Sequence, residues 1–502
     1  MKRLLSTLAL ATLALLTPPT DAANTSGKPN IIFVMPDDVG YGDYSCLGNP
    51  INKTPAVDAF WKQSVRLTDF HVSPTCAPTR SALLTGRHEF KNGVTHTILE
   101  RERLTLKATT IAQVLKKAGY TTGIFGKWHL GDEAEYQPGR RGFDEVFIHG
   151  GGGIGQTYPG SCGDAPGNMY ANPALLHNGK FEKTTGYCTD LFFGQAIRWM
   201  DEKRKGDAPF FTNITLNAAH GPLQCPEENF KHYEGKVPDD VAKFFGMIEN
   251  LDTNFGALLR KLKDWGIEEN TLVIYLGSDN GGTQGVKLFN AGMRAGKGTP
   301  YQGGTRVPAM FRWPAKFAGG RDVPALTAHI DMFRTLAEAA GVSLDEEVSR
   351  QVEGRSLLPL LTQANAEWPD RFLVTHVGRW PHGQVADAKF TKSSIRNSRF
   401  TLVNNTELYD LTKDPGEATN VIEQNPAEAA KLRAAYDQWW TDVQPLLVNE
   451  AVIGPKINPF KELYWKQFGG GPDEALLRQM DPTKAPPAGG RGRAKIGVGT
   501  GM

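Results

Sequence analysis

Four apolar runs, each followed by a cluster of polar residues, constrain this chain more than any other feature. They are Asn30–Met35 (NIIFVM), Gly119–Phe125 (GYTTGIF), Pro209–Leu216 (PFFTNITL) and Thr271–Leu276 (TLVIYL). Each is short and rich in β-branched or aromatic residues, as strands are. Strands without polar alternation are buried on both faces of their sheet. Helical patterns lie between them, at Thr109–Gly119, Tyr187–Glu202 and Val241–Gly266. The alternation predicts an α/β fold with a large, mostly parallel mixed sheet flanked by helices. The polar clusters are Pro36-Asp37-Asp38, Gly126-Lys127-Trp128-His129, Asn217-Ala218-Ala219-His220 and Gly277-Ser278-Asp279-Asn280. Open α/β sheets bind ligands beyond the carboxyl ends of their strands, so the four clusters predict one site.

The character of the chain changes after Leu361. Arg371–Gly378, Phe390–Asn397 and Ser398–Leu411 read as short strands, and Asn425–Val443 as a helix with Pro426 at its first position. The expected organisation is an α/β domain over 28–365 and a smaller antiparallel sheet with a packed helix over 366–468. A Gly- and Pro-rich tail over 469–502 is expected to be disordered. At the other end, Met1-Lys2-Arg3, the apolar run Leu4–Leu16 and small residues near Ala22 have the layout of a signal peptide over 1–23. That run is shorter than the roughly 20 residues a membrane span needs. A secreted or periplasmic protein without a membrane span is expected. The charges nearly balance, with 56 Lys and Arg against 54 Asp and Glu, so composition offers no footprint for nucleic acid. The cysteines are Cys46, Cys76, Cys162, Cys188 and Cys225. An odd number in an exported chain leaves one thiol over. With Cys76 set aside, the other four admit three pairings, of which Cys162 with Cys188 is a local one.

Asp37, Asp38, Asp279 and Asn280 would supply hard oxygen ligands, suited to Ca²⁺ or Mg²⁺ and not to zinc. The same residues also suit solvated turns. Arg80, Lys127, His129, His220 and Lys297 lie at strand ends or in Gly- and Pro-rich loops. Gathered around a divalent cation, they would hold a multiply oxygenated anion and stabilise charge as it transfers. Phosphate and sulfate esters both fit that description. Cys76 would be a nucleophile, since cationic neighbours activate thiolates. The Gly-rich stretch His149–Tyr170 is either a surface connection or a substrate wall. Arg379, Trp380 and His382 are candidates to frame a sugar, and Trp439-Trp440 reads as packing. Asp331 is expected to serve structure.

The stretch CAPTRSALLTGR (Cys76–Arg87) resembles the first signature of the formylglycine-dependent type I sulfatases, which are arylsulfatase-like members of the alkaline phosphatase superfamily. GYTTGIFGKWHLG (Gly119–Gly131) resembles the second signature. PDD, SDNGG and GKGTPYQGGTRVP (Gly296–Pro308) resemble further blocks in the same order, as do TAHIDMFRTLAEAAG and ELYDLTKDPGEATN. The resemblance runs from about Lys28 to Leu447, and Thr79 stands where many members have Ser. It implies an alkaline-phosphatase-like fold and a sulfuric ester hydrolase. It implies that a formylglycine-generating maturation enzyme converts Cys76 to Cα-formylglycine, whose hydrate attacks sulfur. It implies Ca²⁺, in preference to Mg²⁺, on Asp37, Asp38, Asp279, Asn280 and residue 76. Arg80 would hold the hydrate, and Lys127 and Lys297 would neutralise the sulfonyl oxygens. His220 would protonate the leaving group, and His129 would take the proton that releases sulfate. A sulfated carbohydrate is the expected substrate, with a weak preference for sulfated galactose or N-acetylgalactosamine. The rival readings are a phosphonate or phosphodiester hydrolase of the same superfamily and a catalytically dead protein that binds sulfated glycans.

Overall fold

The computed structural model describes residues 27–156, 158 and 161–479. The signal-peptide segment 1–23 and the tail beyond 479 lie outside the described residues. Ten strands form one sheet, in the order Arg321–Val323, Val65–Leu67, Ala309–Arg312, Thr271–Leu276, Asn30–Met35, Phe210–Thr215, Thr121–Lys127, Glu145–His149, Ala174–His177 and Lys180–Lys183. The strands from Thr271–Leu276 through Glu145–His149 are mutually parallel. Antiparallel neighbours flank them on both sides. The four apolar runs are thus consecutive neighbours at the centre of the sheet, and their carboxyl ends open on one edge.

Alternation along a strand sends successive side chains to opposite faces. Ile31, Phe33 and Met35 enter one core, and Ile32 and Val34 enter the other. The helices Cys76–Thr85, Ile111–Lys117 and Asp331–Ala339 cover the first face. The helices Pro55–Gln63, Cys188–Lys203 and Asp239–Asp264 cover the second. This two-sided burial is why the strands carry no polar alternation. Thr110 and Gln113 form a capping box at the start of Ile111–Lys117, where each side chain satisfies the other's backbone N–H.

A second, four-stranded antiparallel sheet follows, in chain order Leu373–His376, Ser393–Arg396, Phe400–Val403 and Glu407–Asp410. The single run Ser398–Leu411 is in fact two strands. Asn404 and Asn405, with φ of 49° and 62°, make the turn between them, and Asn tolerates that left-handed backbone better than most residues. The helix Pro426–Val443 packs on this sheet through Leu432, Tyr436 and Trp440. Asp331 accepts two hydrogen bonds from Arg371, at 2.8 and 2.7 Å, so it ties the helix Asp331–Ala339 to the segment that enters the second sheet.

Segment 444–468 returns to the large domain. Asn449 donates to the carbonyls of Gly93 and Arg103 at 2.9 and 2.8 Å. Phe460 is buried in the large domain's core. The first residues of the expected disordered tail include a short helix, Glu474–Gln479. Among the described residues, no helix is long and apolar enough to cross a membrane.

Candidate active site

Backbone hydrogen bonds weld the strand ends into one floor. Asp37 N donates to Ala218 O at 2.8 Å, and Ala219 N donates to Asp37 O at 2.7 Å. Val39 N donates to Ser278 Oγ at 3.1 Å. Asp38 and His129 sit in left-handed backbone, at φ of 63° and 60°. Neither residue is glycine, and such conformations persist only where the surroundings enforce them. Gly126, two residues before Trp128, has φ of 124°, and a Cβ there would lie 2.1 Å from Thr215 O. Only glycine allows the two strands to approach that closely.

Cys76 is the first residue of a helix whose ten residues are all buried. The helix directs Arg80 back toward the floor. Arg80 Nε donates to Asp279 Oδ2 at 2.8 Å, and its other nitrogens donate to the carbonyls of Lys127 and Leu216 at 2.9 and 3.1 Å. Lys127 pairs with Asp37, and Lys297 with Asp38. Lys297 Nζ also lies 3.5 Å from Cys76 Sγ. Asn280 donates to Asp38 Oδ1 at 2.9 Å. His220 Nε2 faces Asp38 Oδ2 at 3.9 Å, while its Nδ1 donates to Gly221 O at 2.7 Å. Asp37, Asp38, Cys76, Arg80, Lys127, His220, Asp279, Asn280 and Lys297 are therefore joined by direct contacts in one cluster.

The electrostatics are those of a site short of positive charge. Burial pushes the Asp37 carboxyl well above its usual range, and repulsion from Asp279 adds to this. Burial pushes Asp38 the same way, but Lys297 and His220 overcome it and hold the group below its usual value. The Cys76 thiol is raised by burial, with Lys127 and Lys297 opposing. Burial holds His220 down to about 4, against the pull of Asp38, and holds His129 well below its ordinary value. Both rings are therefore neutral near pH 7. His129 Nε2 donates to Thr97 O at 2.7 Å, which leaves Nδ1 as a buried, unpartnered acceptor.

The chemistry of the donors fits a divalent cation. Ligand atoms of Asp37, Asp38, Asp279 and Cys76 all lie within 4.8 Å of one another, and all four residues are buried. Asp37 Oδ1, Asp279 Oδ1 and Asn280 Oδ1 are buried without any hydrogen-bond partner. Three orphaned oxygens beside clustered carboxylates are costly unless a cation satisfies them.

Gly152 and Gly153 of the Gly-rich stretch lie against the site. A Cβ on Gly152 would sit 3.0 Å from the His129 ring, and one on Gly153 would sit 2.7 Å from His220 Nδ1. Tyr170, at the far end of the stretch, donates its hydroxyl toward Asn217 O and His220 O, at 2.6 and 2.7 Å. Gly153→Ala is expected to displace the His220 ring and lower kcat/KM about tenfold or more, as small misplacements of reacting groups do. Steady-state kinetics with the circular dichroism spectrum unchanged would establish this. Sequence reasoning missed Thr97 and gave no individual role to Ser278 or Tyr170. Each acts through hydrogen bonds between distant segments, for which a single sequence carries no signal.

One expectation is corrected, and the pairing of the cysteines, open in the sequence, is answered. Trp380 does not frame a sugar: it is buried, its Nε1 donates to Glu450 at 2.8 Å, and Arg101 lies over its ring at 4.8 Å. All five cysteines are free thiols, so Cys162 and Cys188 do not pair. Cys188 instead faces Asn217 Oδ1 at 3.8 Å.

Comparison with known proteins adds an independent line. The Sulfatase family model matches residues 29–342, and a model for the C-terminal part of N-sulphoglucosamine sulphohydrolase matches 296–439. Human arylsulfatase A is 32% identical over 441 residues, covering 78% of this chain and 83% of that protein. Rat N-acetylgalactosamine-6-sulfatase is 30% identical over 369 residues, 68% of each chain. The crystal structure of Ps i-CgsB in complex with k-i-k-neocarrahexaose superposes with a TM-score of 0.73 at 28% identity, covering 83% of this chain and 94% of that one.

Proposed function

The chain belongs to the sulfatase family and is a sulfuric ester hydrolase, and from that premise we propose that it is an exported, formylglycine- and Ca²⁺-dependent sulfatase acting on a sulfated carbohydrate. One observation carries the reading. Cys76 opens a buried helix within a cage of carboxylates and cations whose oxygens lack partners. A structural cysteine needs no such surroundings.

Converted by a formylglycine-generating enzyme, residue 76 would supply a hydrated aldehyde, with one hydroxyl to attack sulfur and a second whose deprotonation lets sulfate leave. Ca²⁺, in preference to Mg²⁺, would be held by Asp37, Asp38, Asp279, Asn280 and residue 76, and would lower the pKa of the attacking hydroxyl. The remaining work falls to the side chains of the site. Lys297, 3.5 Å from Cys76 Sγ, stands where the sulfonyl oxygens gather charge. Lys127 adds a second cation from the Asp37 side. Arg80, fixed by Asp279 and two carbonyls, holds its position without reorganising during the reaction. His220 is neutral in the empty site, and an anionic ester beside it raises its pKa, so that it gains the proton a leaving alkoxide needs. His129 offers its free Nδ1 as the acceptor for the second hydroxyl's proton.

A sulfated galactose or N-acetylgalactosamine unit is the preferred substrate. The names of the rat relative and of the carbohydrate-bound structure point the same way. The layout of residues 1–23 supports secretion or a periplasmic location.

The test is a peptide mass together with a thiol count. Maturation removes sulfur and two hydrogens from residue 76 and adds one oxygen. Of the five cysteines, one is converted, so unfolded active protein is expected to titrate four thiols. Active protein that titrates five, with an unmodified peptide at position 76, overturns the formylglycine assignment. Sulfate esters turned over in preference to phosphonate and phosphodiester analogues on the same preparation complete the case.

A further inference from the structure

Among the described residues, Arg379 is a cation without a counter-ion. It is exposed on the connection after Leu373–His376, and among the described residues no carboxylate lies within ion-pair distance of it. The nearby carboxylate of Glu450 is taken by Thr95, by Trp380 Nε1 at 2.8 Å and by Arg101 at 3.0 Å. An arginine that merely served solubility would need no fixed geometry, and this one is held firmly. Its φ is 58°, left-handed backbone on a residue with a bulky side chain. Gly378 before it has φ of 63°, and a Cβ there would lie 2.0 Å from Thr95 O. Arg379 N donates to that same carbonyl at 3.0 Å.

The pinned guanidinium points at the active site's neighbourhood. Arg379 Nη2 donates to Thr97 Oγ1 at 2.8 Å, and the carbonyl of the same Thr97 accepts from His129 Nε2 at 2.7 Å. One residue thus separates Arg379 from the candidate base. His96 turns its Nδ1 inward to accept from Thr97 N and Ile98 N, at 2.8 and 3.1 Å, which leaves Nε2 free. Through Thr97, Arg379 therefore lies on the His129 side of the candidate site, at an exposed rim. It keeps most of its five donors unused.

We infer that Arg379 selects for saccharides that carry a second anionic group, sulfate or carboxylate, near the ester to be cleaved, an inference that rests on the sulfatase reading above. A guanidinium forms planar, paired hydrogen bonds with either oxyanion. A small aryl sulfate has no second anion and does not reach this rim.

The test compares wild type, Arg379→Ala and Arg379→Lys on an aryl sulfate, with saccharides as competitors. The competitors are a hexose monosulfate, a hexose disulfate and a sulfated disaccharide bearing a uronate. Competition reads binding whichever ester is cleaved. For wild type, the disulfate or the uronate is expected to bind more tightly than the monosulfate. Arg379→Ala is expected to reduce that preference about 10- to 100-fold, the weight of one charge-assisted pair, and Arg379→Lys to restore part of it. The arm that responds identifies the second anion as sulfate or carboxylate. Equal loss for all three saccharides, or no preference in wild type, overturns the inference. An unconverted Cys76 in active protein would sink the formylglycine reading and leave this preference measurable.

Discussion

Cys76→Ala is expected to fold as wild type does and to lose at least about three orders of magnitude in kcat/KM toward every sulfate ester. The size of the loss follows from the division of labour in the site. The cations around position 76 bind and polarise the ester, but none of them can accept SO₃. The residual rate is then the part that charge stabilisation alone supplies, as in other enzymes stripped of a nucleophile. The fold should survive because the substitution removes one sulfur from a helix start whose other contacts are intact. The helix is held by Arg80 and by a fully buried apolar face, not by the thiol. A loss of about 1 kcal/mol in stability is the scale expected for so small a cavity. Cys76→Ser sharpens the point. Serine offers one hydroxyl in place of two, so the variant should bind an aryl sulfate and stall after at most one turnover. Sustained turnover by either variant would remove residue 76 from the chemistry altogether.

The sheet's centre was legible because burial on both faces leaves a strong mark: four unbroken apolar runs with polar residues at one end. Those four runs are the four adjacent central strands. The outer strands left weaker marks. Val65–Leu67 and Arg321–Val323 have three residues each, too few for any period to emerge. Segment 444–468 leaves as weak a mark. Its attachment to the large domain rests on Asn449, Asn458 and Phe460, which read in sequence as ordinary loop and helix-start residues. The candidate site was legible in Asp37, Asp38, Lys127, His129, His220, Asp279 and Asn280, since each follows a recognisable strand, whereas Cys76, Arg80 and Lys297 lie on a helix and in a loop and were marked only by the family resemblance. The uncharged residues that position them were not. Thr97 fixes the His129 tautomer through a backbone carbonyl, an interaction any residue at that position would offer. Trp380 misled for the opposite reason. An aromatic beside Arg and His looks like a sugar platform, yet the small domain needs a large apolar group between Phe90 and Trp440.

Removing bound metal should weaken the fold as well as the activity, and Asp279→Asn should separate the two effects. In the chain alone, Asp37, Asp38 and Asp279 crowd together with buried oxygens that nothing satisfies. Part of the repulsion is relieved by Lys127, Lys297 and Arg80. The rest is available to a cation, which binds the folded chain and not the unfolded one. At a hundredfold excess over Kd such binding adds about 2.7 kcal/mol of stability. For a chain of this size that corresponds to a rise of several degrees in Tm. Calcium should therefore raise the Tm of chelated wild type by about that amount, and restore its activity. Asp279→Asn keeps the shape of the side chain and one oxygen, but removes a formal charge from the cage and from Arg80. Its Tm response to calcium should shrink to about a degree or less, and kcat/KM should fall by about two to three orders of magnitude, the scale of a lost preorganised charge. Arg80 supplies the internal control. If the variant lost stability only because that buried guanidinium had lost its partner, its Tm would fall equally with and without calcium. A deficit that appears only when calcium is present assigns Asp279 to the cation, and a deficit of equal size in both conditions assigns it to Arg80.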